Sequence, residues 1–383
     1  MVRSGQPLVP PGARANVPSA ENHLSDEVAY EDDKVKIVTT HGPMGVVGAI
    51  APWNFPLVLG TLKIVSALIT GNCVILKPSP FTPYASMKVV ELCRDIVPPG
   101  VVQVLNGGAD LGAAMTLHPG IAKITFTGSI PTGRKVLVNC SKTMKRVTLE
   151  LGGNDAAIVC EDVDVPTVAE KVATGSFANS GQVCVASKRV YVHESIYDEF
   201  LDAYVKVVEA QFKAGGDAAA MTLFGPLSNR QQFDIIKGFL EDSKKNNHKI
   251  VAGGKVADKG LWVEPTVVAK PPENSRLVRE EQFGECAHAL WKMSPRTKHV
   301  WFQALSCQSC RTATSRMSSS APTSTTRASA PRSTQRTWTA RRRSRGGLRP
   351  GWCGLTRTRC QIRRRTSGAS RTAGMAESRG SRG

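Results

Sequence analysis

Between Met44 and Leu151 the chain alternates short apolar runs with segments whose apolar residues recur at helical spacing. That alternation constrains the fold more than any other feature. Met44-Gly-Val-Val-Gly-Ala-Ile-Ala reads as a buried strand, and a helix starts at Pro56, whose fixed φ suits a first helical position. Cys73-Val-Ile-Leu is the next strand. Helical spacing from Thr82 to Val97 is broken by Pro98-Pro-Gly, after which Val101 to Leu105 forms a third strand and Ala109 to Leu117 a short helix. Lys123 to Thr127 is a fourth strand, followed by a helix to about Cys140 and the strand Arg146-Val-Thr-Leu. Strands and helices taking turns at this interval predict an α/β fold with a doubly wound parallel sheet. Past Glu150 the pattern begins again as a second α/β domain. It has a strand at Ala156-Ala-Ile-Val-Cys, a helix from Val165 to about Phe177 and a strand from Lys188 to His193. A long helix from Tyr197 to about Lys213, with Ser195 as its cap, and another from Gln231 to Asp242 complete it.

The chain has 383 residues, enough for two domains of ordinary size. Its formal net charge of +19 would suggest a nucleic-acid partner, but the charge is unevenly placed. From Glu285 onward there are 21 of the 50 Lys and Arg and 2 of the 31 Asp and Glu, so residues 1–284 carry 29 of each sign. The body is neutral, and no specific nucleic-acid partner is expected for it. The N-terminal stretch is too short and proline-rich for a signal peptide, and no run of about 18 apolar residues exists to span a membrane. Cys73, Cys93, Cys140, Cys160 and Cys184 lie scattered in apolar contexts, which fits a reducing compartment and a cytoplasmic location. Residues 1–26, rich in Pro, Gly, Ser and Asn, are expected to be poorly ordered.

Two stretches carry candidate chemistry. Val147-Thr-Leu-Glu-Leu-Gly-Gly153 runs a strand into a carboxylate and a glycine pair, which suits a sharp turn at a strand end with Glu150 on the rim. Phe177-Ala-Asn-Ser-Gly-Gln-Val-Cys184 puts a cysteine after Ser-Gly-Gln, where main-chain N–H groups point at whatever the sulfur attacks. Cys184 is therefore a candidate nucleophile and Glu150 a candidate base. The plain alternative for a cysteine between two valines is a small buried hydrophobe. Asn54, delivered by a buried strand, has an amide that can donate to an oxyanion, or it caps the helix that follows. Trp53 suits a core as well as a site. The glycine turn Gly128-Ser129 opens a helix whose free N–H groups and dipole favour a pyrophosphate.

Leu149-Glu-Leu-Gly-Gly and Gly181-Gln-Val-Cys resemble the two signatures of the aldehyde dehydrogenase superfamily. Four more segments match its motifs in the expected order along the chain: Pro52-Trp-Asn-Phe-Pro56, Lys77-Pro-Ser79, Phe126-Thr-Gly-Ser129 with Gly133, and Glu280-Glu-Gln-Phe-Gly284. The likeness covers roughly Glu27 to Gly284. It implies a dinucleotide-binding domain over 27–149 and a catalytic domain over 150–284, both incomplete, because a family member has more chain before and after. It also implies an aldehyde substrate, no metal, and oxidation to a carboxylic acid through a cysteine thiohemiacetal and thioester. Cys184 would be the nucleophile, Glu150 the base that activates water, Asn54 the oxyanion donor and Lys63 a support for proton relay. Lys77 would bond the adenosine ribose, Gly128, Ser129 and Gly133 would form the pyrophosphate turn, and Trp53 would line the cofactor site. Glu281 would bind the nicotinamide ribose beside Phe283. NAD is the expected cofactor, with NADP possible, since Pro80 stands where many NAD-dependent relatives have an acid. The family is homo-oligomeric, with the segment near Lys34 to Thr40 pairing between subunits; this chain lacks much of that interface.

After Gly284 no family motif follows. Residues 285–383 are rich in Arg, Ser, Thr, Ala and Gly without a sustained apolar period, and a disordered basic tail is expected. The change in mid-motif is what a shifted reading frame through GC-rich codons would produce. Cys307 and Cys310 lack partners at zinc-ligand spacing, and Arg341-Arg-Arg and Arg363-Arg-Arg have little aromatic interleaving for base stacking. Two other readings are a truncated, non-catalytic relic of the family, and such a relic with a nucleic-acid-binding tail.

Overall fold

A computed structural model of the chain describes residues 24–213, 224–284, 288–293 and 356–364. The chain divides into two compact units, residues 1–153 with 349–383, and residues 154–348. The division falls at Gly153, so Glu150 stays with the first unit.

In the first unit the repeating pattern becomes β3 (Val46–Ile50), α1 (Pro56–Leu68), β4 (Cys73–Lys77), α2 (Tyr84–Cys93), β5 (Val102–Val104), α3 (Ala109–Leu117), β6 (Lys123–Gly128), α4 (Ile130–Ser141) and β7 (Arg146–Leu151). The five strands form one parallel sheet in the order β5-β4-β3-β6-β7. Side chains alternate across it. Val47 and Ala49 pack with Leu76, Ile64, Ala67 and Val90 beneath α1 and α2, whereas Ile50 packs with Ile124, Phe126, Met115 and Val136 beneath α3 and α4. Both faces are covered, as a parallel sheet requires. Gly48 at the centre has no room for a side chain, since a Cβ there would lie 2.6 Å from Ile124 Cδ1.

Asn72 pins the entrance of this sheet. It is 2 % exposed, its Oδ1 accepts from the N–H of Met44 at 2.6 Å and of Gly45 at 3.0 Å, and its Nδ2 donates to Thr70 Oγ1 at 2.8 Å. One amide thus joins the end of α1 to the start of β3. A separate sheet holds β1 (Glu27–Glu31), β2 (Val35–Pro43) and β13 (Thr356–Arg364), antiparallel with β2 in the middle. Burial does not alternate along β2: every residue from Val35 to Gly42 is half-buried.

The second unit contains β8 (Ala156–Val159), α5 (Val165–Phe177), β9 (Arg189–His193), α6 (Tyr197–Gln211), α7 (Arg230–Lys245), β10 (Lys249–Ala252), β11 (Val267–Ala269), the short α8 (Arg276–Arg279) and β12 (His288–Met293). Its sheet runs β10-β11-β12-β9-β8, antiparallel only between β10 and β11. Phe177, Phe200, Tyr204 and Phe212 form an aromatic core between α5 and α6.

Ser195 does not cap α6. It sits in a 3-10 turn, Glu194–Ile196, and its N–H is accepted by the ring of His193, which leaves Ile196 at the cap position. The histidine offers a rigid acceptor one residue before the turn, and the serine hydroxyl bonds to the same nitrogen at 2.8 Å. Two pieces of the segment expected to lack order are described, and both are strands. β12 lies between β11 and β9, and β13 pairs along the whole of β2. The ladder uses main-chain groups that every residue carries, so an Arg-rich composition does not forbid it. Cys307, Cys310, Arg341 and nearly all of residues 1–26 lie outside the described residues.

Replacing Asn72 with Ala strands the buried N–H of Met44 and the partly buried one of Gly45, and we expect a loss of about 2 kcal/mol. Urea unfolding of the two proteins measures it. A loss under about 0.5 kcal/mol would show that the amide does not pin β3.

Candidate active site

In the first unit the winding reverses beside β3: the chain proceeds outward through β4 and β5, then returns to β6 and β7 on the other side. Such a reversal leaves a crevice beyond the carboxyl ends of the strands. Trp53 and Asn54 follow β3, Lys77 ends β4, Gly128 ends β6 and Glu150 is the penultimate residue of β7. Five of the expected residues therefore share one edge of one sheet.

Trp53 and Asn54 are half-buried. Thr82 Oγ1 donates to Trp53 O at 3.3 Å. The capping alternative for Asn54 is not adopted: the residue at the helix cap is Phe55, with no side-chain cap bond. Lys77 is 5 % exposed, and its Nζ donates to Pro78 O at 2.9 Å and Gly107 O at 2.8 Å. One of its three N–H donors is thereby directed at the loop after β5 and another at the residue that follows it in the chain, and burial pushes its ammonium below the usual lysine range, with Asp110 opposing.

Ser129 precedes α4 without a side-chain cap bond, its hydroxyl turning instead to Thr132 Oγ1 at 3.1 Å. The first turn of α4 thus keeps main-chain N–H groups that no cap side chain takes. Gly133 serves packing: a Cβ there would lie 2.6 Å from Leu151 Cδ2, so glycine lets α4 lie close on β7. The Gly152-Gly153 pair after Glu150 takes no positive φ, so the chain leaves β7 without the left-handed turn that glycines permit.

Lys63 does not snorkel to the surface. It is 8 % exposed, with Nζ donating to Thr125 Oγ1 at 3.1 Å. Burial pushes its pKa down to about 8; Glu150 pulls it back up and Lys123 pushes it further down.

In the second unit the cysteine loop is built on a left-handed run. Asn179 (φ 52°), Ser180 (φ 57°) and Gly181 (φ 70°) follow one another, conformations costly for the two residues that carry a Cβ. Side chains hold the run in place. Ser180 Oγ donates to Gly225 O at 2.5 Å and accepts from Gly225 N at 2.9 Å, and Gln182 Oε1 accepts from Ser228 N at 2.9 Å. Gly181 is required by close approach as well as by φ, because a Cβ there would lie 2.4 Å from Gly284 O. Cys184 emerges half-buried, unlike the fully buried Cys140.

The loop carrying Glu281 and Phe283 precedes β12 as the cysteine loop precedes β9, and those two strands are parallel neighbours. Asn154 Nδ2 ties it down by donating to Val278 O at 2.7 Å and Glu280 O at 3.2 Å. Lys188 lies at its junction with the cysteine loop: it is 1 % exposed, bonds three carbonyls of the cysteine loop and stands 3.7 Å from Glu281. Reading the sequence placed Lys188 in a strand and missed this. Its only signal was a lysine four residues after the cysteine, at the start of a run otherwise destined for the core. Among the described residues no cluster of three His, Cys, Asp or Glu is arranged to hold a metal, and no helix is long and apolar enough to cross a membrane.

Because Lys63 binds its proton more weakly folded than unfolded, the unfolded chain holds the extra proton between pH 8 and 10.5, and stability rises with pH across that window. Relative to Lys63→Met, the parent should gain roughly 3 kcal/mol of unfolding free energy from pH 7 to pH 10. Denaturant titrations of both proteins across that range check this, and parallel pH curves would contradict it.

A sequence profile of the aldehyde dehydrogenase family matches residues 14–288. A putative aldehyde dehydrogenase of Gibberella fujikuroi is 45% identical over 259 residues, 67% of this chain and 54% of that protein. The structure of an aldehyde dehydrogenase from Bacillus cereus superposes with a TM-score of 0.71 at 32% identity, covering 77% of this chain and 60% of that one. The indole-3-acetaldehyde dehydrogenase of P. syringae, solved with NAD+, gives 0.70 at 32% identity, covering 76% and 59%. The chain spans about half the length of the curated relatives it matches. The motifs, the doubly wound sheet and these likenesses together establish that this chain belongs to the aldehyde dehydrogenase family.

Proposed function

We propose that the chain oxidises an aldehyde to a carboxylic acid with NAD or NADP, using Cys184 as nucleophile. The observation that carries the reading is the placement of that cysteine: a half-buried thiol leaving a strained left-handed run, in a chain of this family. Strain of this kind persists where surrounding bonds over-determine it, and functional loops are where it collects.

The residues fit a dinucleotide. The first turn of α4 offers N–H groups free of a cap side chain to a pyrophosphate, and Gly133 lets that helix lie close to the sheet. Gly128 and Ser129 would hold the phosphates, Lys77 the adenosine ribose beside Trp53, and Glu281 with Phe283 the nicotinamide end. When bound, the nicotinamide supplies the hydride acceptor. Pro80 at the end of the Lys77 loop leaves both cofactors open.

The thiolate of Cys184 adds to the carbonyl carbon, and the oxyanion so formed takes hydrogen bonds from the Asn54 amide and the main-chain N–H of Cys184. Oxidation leaves an acyl group on sulfur. Glu150 then removes a proton from the water that hydrolyses it. Lys63, brought down to about 8 by burial against the opposing field of Glu150, is suited to pass protons near neutral pH.

Absorbance of the reduced nicotinamide, followed with short, long and aromatic aldehydes, tests the reading. Cys184→Ala should lower turnover by a factor on the order of ten thousand or more while cofactor binding is retained. A variant that still turns over would remove the assignment. A parent chain that reduces neither cofactor with any aldehyde would support the non-catalytic relative instead.

A further inference from the structure

We propose that Lys188 is a positioning residue: one buried ammonium holds the cysteine loop and the carboxylate of Glu281 in a common register and supplies positive charge beside the nucleophile. The inference rests on the reading of Cys184 as nucleophile and Glu281 as a cofactor contact. Lys188 immediately precedes β9, and its Nζ donates to the carbonyl oxygens of Val183 at 3.1 Å, Cys184 at 3.2 Å and Ala186 at 3.2 Å. An ammonium has three N–H donors, so three carbonyls of one loop can take them all. Glu281 Oε1 stands 3.7 Å from the same nitrogen, and only 2% of the Lys188 side chain and 19% of the Glu281 side chain reach solvent. At that separation the pair interacts through charge, little screened by water.

Geometry links the two loops a second time. Gly181 lies against Gly284, where a Cβ would meet the carbonyl oxygen at 2.4 Å. The backbones touch at one point and the lysine joins them at another, so a shift of either loop disturbs both contacts. Burial pushes the Lys188 ammonium below the usual lysine range, while Glu281, Asp155 and Cys184 oppose that push. The ammonium, bonded to the carbonyl oxygen of Cys184 itself, places a positive charge within the loop that carries the sulfur. A neutral side chain of the same length would fill the space without that effect.

The full chain is reacted with iodoacetamide at pH 7.5, and the peptide carrying Cys184 is followed by mass spectrometry, which separates it from the other cysteines. Lys188→Met should slow alkylation of Cys184 about threefold or more, and Glu281→Gln, which removes the opposing negative charge, should speed it about twofold. Opposite signs are the fingerprint of charge, because loosening the loops moves both variants in one direction. Changes of the same sign, or none, would overturn the proposal. If Lys188→Met fails to fold, Glu281→Gln decides alone, an unchanged or slower rate refuting the role. A chain without aldehyde oxidation in which the two variants still move apart would remove the catalytic reading and leave the role of Lys188 standing.

Discussion

The pairing of β3 on both sides is the constraint from which the first unit follows. Its residues are hydrogen-bonded to β4 across one edge and to β6 across the other, while Val47 and Ala49 fill one face and Ile50 the other. A strand so enclosed has no edge left for the returning chain, which must reverse its winding around it. Such reversals leave a crevice beyond the carboxyl ends of the strands, and Asn54, Lys77, Gly128 and Glu150 lie at those ends. Sheet topology thus brings these candidate residues to one end of the sheet, and the glycines at 48 and 133 let the layers close tightly enough.

Three buried lysines stand among the candidate site residues and their neighbours. Lys63, Lys77 and Lys188 are each less than a tenth exposed, and each directs its ammonium at oxygen atoms of the protein. Removing an ammonium from water is costly unless those bonds are made, so Lys77 and Lys188 each hold a loop in one conformation and Lys63 ties α1 to β6. Lys77 joins the ends of β4 and β5, Lys63 lies under the field of Glu150, and Lys188 gathers the cysteine loop. Main-chain carbonyls are suitable partners because they neutralise nothing and leave the positive field available to a neighbouring acid or thiol.

Much of this was legible in the residues. The helices at Ala109–Leu117 and Val165–Phe177 were delimited by their periodicity and flanking breakers, and the order of strands and helices implied the parallel sheet. What escaped reading depends on contacts distant in sequence. His193 displaced Ser195 from its cap, Phe55 took the cap position open to Asn54, and the backbone of β12 found a place between two strands beyond the last family motif. Lys188 was hidden for the same reason: its three partners are near in sequence, but its burial comes from the sheet and its fourth partner is Glu281. Local pattern reports elements well, and it reports poorly which polar group will meet which.

The central claim is that Cys184 carries the acyl group of an oxidised aldehyde, and its most direct measurement is the mass of that group on the protein. Glu150→Gln, which removes the base for hydrolysis, is mixed with NAD+ and a simple aliphatic aldehyde, quenched in acid and mapped by peptide mass spectrometry. The account predicts an acyl adduct on the peptide containing Cys184, dependent on NAD+ and absent after Cys184→Ala. An adduct on another residue, or none under conditions where the nicotinamide is reduced, would contradict it.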